Sequence, residues 1–203
     1  MLLSLFHTGG YGMNICVFGA SSDRLDRDYY DAARRLGELI GRGGHTLVYG
    51  GGRTGLMGAC AGGVIAAGGG LVGVAPHFFD EGDVLLKEQG AFVFTETMAE
   101  RKSKMEQLAD AFIVLPGGVG TLEEFFEVFT LRLLGRQSGN IVLLNTCGYY
   151  DALYALIADS IEKGFTARDA LALLPLCDTP EAALAAALAA DEGTTRGVEN
   201  WAK

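Results

Sequence analysis

The sequence is short of several features that would each have assigned it a class. Its four cysteines (Cys16, Cys60, Cys147 and Cys177) form no C-x-x-C pair. Each lies in or beside an apolar stretch, so buried, reduced thiols of a cytoplasmic protein are expected. Its three histidines (His7, His45 and His77) are too scattered for a zinc motif. No apolar run reaches the length of a membrane span. Residues 1–12 (MLLSLFHTGGYG) open with a short apolar burst but have no basic flank and no cleavage site. They therefore do not read as a signal peptide, and a mobile N-terminal extension is expected there instead. Positive charge is also scarce: 16 Lys and Arg stand against 25 Asp and Glu, for a net charge of −9. With no basic stripe, a nucleic-acid partner is not expected. A small anionic ligand is still compatible, because it needs only local positive charge and aimed backbone N–H groups.

What the chain does have is length and apolar content. It has 203 residues, 49% of them hydrophobic and 20% charged, enough to bury a sizeable core. Short apolar runs alternate with helical spacing. Strands are expected at 14–18, 46–49, 71–75, 91–95, 111–115 and 140–145. Helices are expected at 26–42, 54–67, 98–109, 121–134 and 149–163, with an Ala/Leu tail helix from Pro180 to Ala190. The strands are continuous apolar runs, not alternating ones. That predicts an α/β fold with a mainly parallel sheet covered by helices on both faces. No repeat or linker divides residues 13–203, so one domain is expected.

The 30 glycines cluster at the carboxyl ends of the expected strands: Gly19-Ala20-Ser21-Ser22, Gly50-Gly51-Gly52-Arg53-Thr54-Gly55, and Pro116-Gly117-Gly118-Val119-Gly120-Thr121. In a parallel sheet these turns share one edge, where ligands bind. The second turn satisfies G-x-G-x-x-G, but the next strand ends Ala75-Pro76-His77, without the acidic residue a dinucleotide site needs for the ribose. Neither glycine-rich cluster is followed by Lys-Ser or Lys-Thr, which excludes a P-loop. The third turn suits an anion held on glycine N–H groups at a helix N-terminus.

Thr121-Leu122-Glu123-Glu124 admits two readings. It is a capping box, with Thr121 as N-cap and Glu124 three residues on. It also places a carboxylate beside an anion site. In the following helix, Leu122, Phe125, Phe126, Phe129 and Leu133 form a stripe suited to the sheet. Val128, Leu131 and Leu134 form a second patch near Glu124 and Glu127, to be covered by another subunit or by the tail helix. Arg101, Lys102 and Lys104 head the helix before strand 111–115. They are either a solvated face or a clamp for phosphate or for Glu124.

Pro116 to Glu124 match P-G-G-x-G-T-x-x-E in full, and Arg101-Lys102 match an arginine-lysine pair ahead of it. Gly50 to Gly58 and the Gly-Tyr-Tyr-Asp segment Gly148–Asp151 match further markers in order. In these motifs the chain resembles the LOG (Lonely Guy) family of cytokinin-activating phosphoribohydrolases, over about residues 14–190. The resemblance implies a Rossmann-like, doubly wound sheet and a cytoplasmic homodimer with its active site near the subunit interface. It implies hydrolysis of the N-glycosidic bond of a nucleoside 5′-monophosphate, either a cytokinin riboside monophosphate or AMP, to free base and ribose 5-phosphate. Carried over, Arg101 and Glu124 are catalytic. Gly117, Gly118, Gly120 and Thr121 bind phosphate, with Lys102, Ser21, Gly51 and Gly52 in substrate binding. No metal and no cofactor are expected. Two positions depart from the family pattern: Leu131 stands where many members have Trp, and Gln137-Ser138-Gly139-Asn140 where many have His-x-Lys-Pro. The choice between adenine and N6-prenylated adenine stays open. Two other readings compete: a carrier that binds a phosphorylated ligand without turnover, as molybdenum-cofactor carriers of similar fold do, and an NAD(P)-dependent oxidoreductase. An intact Arg101 and Glu124 favour the enzyme over a carrier, which needs neither.

Overall fold

The computed structural model describes residues 12–80 and 84–191. Seven strands, β1 (Asn14–Phe18), β2 (Thr46–Tyr49), β3 (Gly70–Pro76), β4 (Ala91–Thr95), β5 (Ala111–Val114), β6 (Ile141–Leu144) and β7 (Leu176–Cys177), form one sheet in the order β4-β3-β2-β1-β5-β6-β7, every pair parallel. Successive side chains of a strand point to opposite faces, and both faces are covered. Ile15, Val17, Ile113 and Val142 enter one core, with α1 (Arg27–Arg42), α2 (Gly55–Ala66) and α6 (Pro180–Leu188). Cys16, Phe18, Phe112 and Leu143 enter the other, with α3 (Met98–Leu108), α4 (Val119–Leu133) and α5 (Asp151–Glu162). Continuous apolar strands follow from burial on both sides.

The small residues of α2 serve a close helix contact. A Cβ on Gly37 of α1 would lie 1.9 Å from the Cys60 carbonyl oxygen, and one on Gly63 of α2 would lie 2.2 Å from that of Arg34. Backbone meets backbone there, so α2 packs closely on α1.

Several expectations need correction. The seventh strand, Leu176–Cys177, is too short to stand out as an apolar run. Helix α4 begins at Val119 with Gly118 as N-cap, so Thr121 lies inside the first turn and the capping box does not form. The true box-like cap lies one helix earlier: Thr97 accepts from the Glu100 N–H, and Glu100 accepts from the Glu96 N–H. Phe126 is not on the sheet-facing stripe but 42% exposed, while Val128 is buried beside Phe125 and Phe129. The tail helix packs on α1, β5 and β6, across the sheet from α4, so it does not cover α4. Cys16 and Cys60 are buried, but Cys147 is exposed and Cys177 half-buried. Of the expected extension only Gly12 is described, packed against the Gly44 carbonyl; residues 1–11 and His7 lie outside the described residues.

Gly139 and Asn140 anchor the tail. The Asn140 side-chain amide donates to the carbonyls of Ala186 (3.1 Å) and Ala189 (2.8 Å), capping the end of α6. The Gly139 N–H donates to Asp191 at 3.1 Å, and Asp191 also holds the buried Arg132 of α4 through its two terminal guanidinium nitrogens, Nη1 and Nη2.

The strand order reverses between β1 and β5. Strands β1 to β4 step outward on one side, and the chain then returns to place β5 on the other side of β1. The loops after β1 and β5 therefore diverge and leave a crevice. They are joined at its floor, where Ala20 N–H donates to the Pro116 carbonyl at 3.1 Å.

Candidate active site

A cleft of about 620 Å³ opens at this reversal. All three glycine turns reach it: Gly19 to Ser22 after β1, Gly50 and Gly52 after β2, and Gly118, Gly120 and Thr121 after β5, with Arg101, Glu123 and Glu124. A Cβ on Gly118 or Gly120 would meet nothing within 4 Å. Nothing in the surrounding chain demands glycine at either position, and the space faces the cleft. Gly117 is different, because a Cβ there would lie 2.2 Å from the Thr121 hydroxyl. The first-turn N–H groups of Val119, Gly120 and Thr121 have no acceptor within their own helix, and the helix dipole adds partial positive charge.

Beside this helix end sits a buried ion pair. Arg101 Nη1 donates to Glu124 Oε1 at 2.7 Å, with the two side chains only 8% and 11% exposed. Arg101 Nε donates to the Val74 carbonyl at 3.2 Å, near the end of β3. Its other nitrogen fills the space a side chain at Gly50 would take, 2.2 Å from a Cβ there. The guanidinium is thus fixed by a strand end, a glycine and a carboxylate. Burial raises the Glu124 carboxyl above its ordinary value, and the charge and hydrogen bond of Arg101 offset only part of this. The Glu124 carboxylate is thus paired with Arg101 and not engaged as a cap of its own helix.

Lys102 does not line the cleft. Its ammonium bonds Glu123 and reaches Glu127 at 2.7 Å, and these hydrogen bonds raise its affinity for a proton. Glu123 keeps about half of its side chain exposed and is paired with Lys102. Gly51 is also outside the lining. It has a φ of +77° and lies on the Phe92 ring, a position only glycine tolerates. Gly51 O accepts from Leu86 N–H (2.9 Å) and Arg53 N–H donates to Val84 O (3.0 Å). The G-x-G-x-x-G backbone is thus engaged by the chain segment after β3, which speaks against its use as a dinucleotide turn. Ser21 lines the cleft, its carbonyl accepting from the Thr54 hydroxyl at 3.0 Å.

The sequence reading missed the apolar wall. Phe79, Val84, Leu85, Met57 and Met98 line the cleft together with the charged pair. Phe79, Val84 and Met98 keep 42%, 49% and 39% of their surface exposed. Phe79, Val84 and Leu85 come from the connection between β3 and β4, and Met57 and Met98 from the first turns of α2 and α3, so no periodicity marks them as one surface.

Residues 57–187 match the family model described as "Possible lysine decarboxylase". The chain is 38% identical over 156 residues to the cytokinin riboside 5′-monophosphate phosphoribohydrolase LOG2 of Arabidopsis thaliana, covering 77% of this chain and 73% of that protein. It is 40% identical over 156 residues to the enzyme of that name from Mycobacterium marinum, covering 77% and 83%. With the LOG protein of Oryza sativa it shares 41% over 156 residues, covering 77% and 64%.

The chain belongs to the LOG family.

The LOG marker Pro116–Glu124 spans the end of β5, the glycine loop and the first turns of α4. Arg101 comes from α3 to meet Glu124 of α4. Among solved structures, the molybdenum cofactor carrier protein of Chlamydomonas reinhardtii is similar, with a TM-score of 0.66 and 20% identity over 86% of this chain and 95% of that one. The molybdenum cofactor binding protein of Rippkaea orientalis is similar at 0.65 and 20%, over 86% and 94%. At that identity the likeness concerns the fold.

The two glycines flanking the pair allow a direct comparison. Gly50→Ala forces its methyl into Arg101, whereas a Cβ on Gly52 meets only the flexible end of Met57 at 3.4 Å. Urea unfolding is expected to show Gly50→Ala destabilised by about 1–3 kcal/mol, as for an overpacked core site, and Gly52→Ala by less. Equal effects would mean that Arg101 moves aside freely.

Proposed function

We propose that this LOG-family chain hydrolyses the N-glycosidic bond of a nucleoside 5′-monophosphate, releasing the free base and ribose 5-phosphate. The observation that carries this reading is the buried Arg101–Glu124 pair placed beside a glycine-rich helix N-terminus in one cleft. The phosphate sits on the N–H groups of Gly118 to Thr121 and on the Thr121 hydroxyl, where helix dipole and aimed donors favour an anion. That fixes the ribose beside Glu124. As the C1′–N bond breaks, its electron pair leaves with the base and C1′ becomes oxocarbenium-like. The Glu124 carboxylate stabilises this charge and takes a proton from the attacking water, whose oxygen bonds C1′. The departing base takes up a proton from solvent, to which Glu124 releases the one it took from water, so the hydrolysis balances. Arg101 holds Glu124 in its charged form and in position. Phe79, Val84, Leu85 and Met98 offer the base an apolar wall, and the cleft volume suits a nucleotide-sized ligand. AMP and cytokinin riboside monophosphates both fit this chemistry.

Decarboxylation through a Schiff-base lysine fits poorly. Such a lysine needs a depressed pKa, while Lys102, the nearest candidate to the cleft, has its ammonium stabilised by Glu123 and Glu127.

We also propose a cytoplasmic homodimer in which the outer face of α4, with exposed Val119 and Phe126, meets a second copy near the cleft. Sedimentation at micromolar concentration is expected to give twice the monomer mass. A monomer at all concentrations would remove this part of the reading.

Chromatography of free base released from AMP and from isopentenyladenosine monophosphate tests the reaction. Wild type is expected to release base, and Glu124→Gln to fall at least about a hundredfold while the variant still folds cooperatively, with a lowered unfolding midpoint because Arg101 keeps its charge without a full partner. Tight binding of both nucleotides without release by wild type would favour the carrier.

The raised Glu124 carboxyl also predicts a pH profile. Only the ionised form can stabilise the oxocarbenium ion, so kcat/KM falls as pH falls through a midpoint above the ordinary 4.5. The linked stability effect has the opposite sense. The folded state binds this proton more tightly than the unfolded chain, so stability falls as pH rises from 4.5 through the raised value. An activity profile flat down to 4.5 would show that Glu124 is not the group in control.

A further inference from the structure

A loop built from Pro116, Gly117 and Gly118 has almost no side chains with which to fix itself. Its carbonyls are held from outside instead. The Tyr150 hydroxyl donates to the Leu115 carbonyl at 2.6 Å, the Ala20 N–H donates to that of Pro116 at 3.1 Å, and the Tyr149 hydroxyl donates to that of Gly117 at 2.5 Å. Three successive carbonyls are thus anchored, two of them by the tyrosines that follow β6.

Planarity makes this consequential. In a trans peptide the C=O and the next N–H point in opposite directions. Drawing the Gly117 carbonyl toward Tyr149 turns the Gly118 N–H the other way, and Gly118 lines the cleft. The tyrosines are themselves fixed. Tyr150 N–H donates to Asn145 Oδ1 at 2.8 Å, and the Asn145 amide donates to Asp151 (2.9 Å) and Asp178 (3.1 Å). The Tyr149 ring meets Tyr29 and Tyr150 edge-on, at centroid distances of 6.2 and 5.0 Å. Tyr150 is buried, whereas Tyr149 keeps 43% of its surface exposed. Neither tyrosine lines the cleft.

We propose that Tyr149 and Tyr150 are positioning residues that clamp the Leu115–Gly118 backbone so that its N–H groups are presented to the 5′-phosphate. This rests on the reading of the cleft as a phosphate-binding site, but not on turnover there.

The test uses the full chain with Tyr149→Phe, which keeps the ring contacts and removes only the hydroxyl, and Tyr150→Phe as the second variant. Binding of ribose 5-phosphate is measured by calorimetry, and base release from AMP by chromatography. Loss of one clamping hydrogen bond is expected to weaken ribose 5-phosphate binding about three- to tenfold and to raise KM for AMP by the same factor. The expected kcat stays within about twofold of wild type for Tyr149→Phe, because the bond lost is made before and during reaction alike. A merely structural role would lower the active fraction, and so kcat, with KM and affinity unchanged. Unchanged binding in Tyr149→Phe overturns the proposal even if Tyr150→Phe fails to fold. Absence of ribose 5-phosphate binding to wild type overturns both this proposal and the phosphate site. Weakened binding in a protein whose wild type releases no base supports the clamp and sinks only the proposed reaction.

Discussion

The arrangement of this protein turns on burying one charged pair where three loops converge. A guanidinium and a carboxylate removed from water are costly unless each is paired and further hydrogen-bonded. Arg101 meets that condition with Glu124, the Val74 carbonyl and the vacant side of Gly50. The pair therefore ties α3, α4, the end of β3 and the turn after β2 into one geometry. Glycine at position 50 is as much a part of this as the charges, since any side chain there would occupy the guanidinium's place.

Around that pair the lining of the cleft is of two chemical kinds. One is polar and built from backbone, at the start of α4. The other is apolar, contributed by Phe79, Val84, Leu85 and Met98. A ligand with an anionic end and a flat apolar end suits such a division, and it is on this ground, together with LOG-family membership, that a nucleotide substrate is proposed. Lys102, adjacent to Arg101 in sequence, is committed to Glu123 and Glu127 on the exposed side of α4. There it neutralises acids that would otherwise repel a phosphate.

Much of the framework was legible in the residues. Continuous apolar strands such as Ile141–Leu144 announced a parallel sheet buried on both faces, and glycine clusters at strand ends located its binding edge. The reading failed where a local pattern had two solutions. Thr121-Leu122-Glu123-Glu124 fits a capping box, yet the glycines before it let α4 start at Val119, and Glu124 is thereby released to meet Arg101. Phe126 matched the apolar stripe by spacing, but its actual orientation follows from where α4 rests on the sheet, which buries Val128 instead.

The sequence by itself determined the fold class, the shared edge of the three glycine turns and the identity of Arg101 and Glu124 as candidates, because apolar periodicity and glycine placement are local properties of the chain. Only the tertiary structure decided that these two residues form a buried pair, that Lys102 turns to Glu123 and Glu127, and that Tyr149 and Tyr150 grip the loop from β6. It alone assembled the apolar wall and sent the tail helix to the face opposite α4. Each of these contacts joins residues from different elements of the chain, and no local pattern encodes which distant partner a side chain will meet.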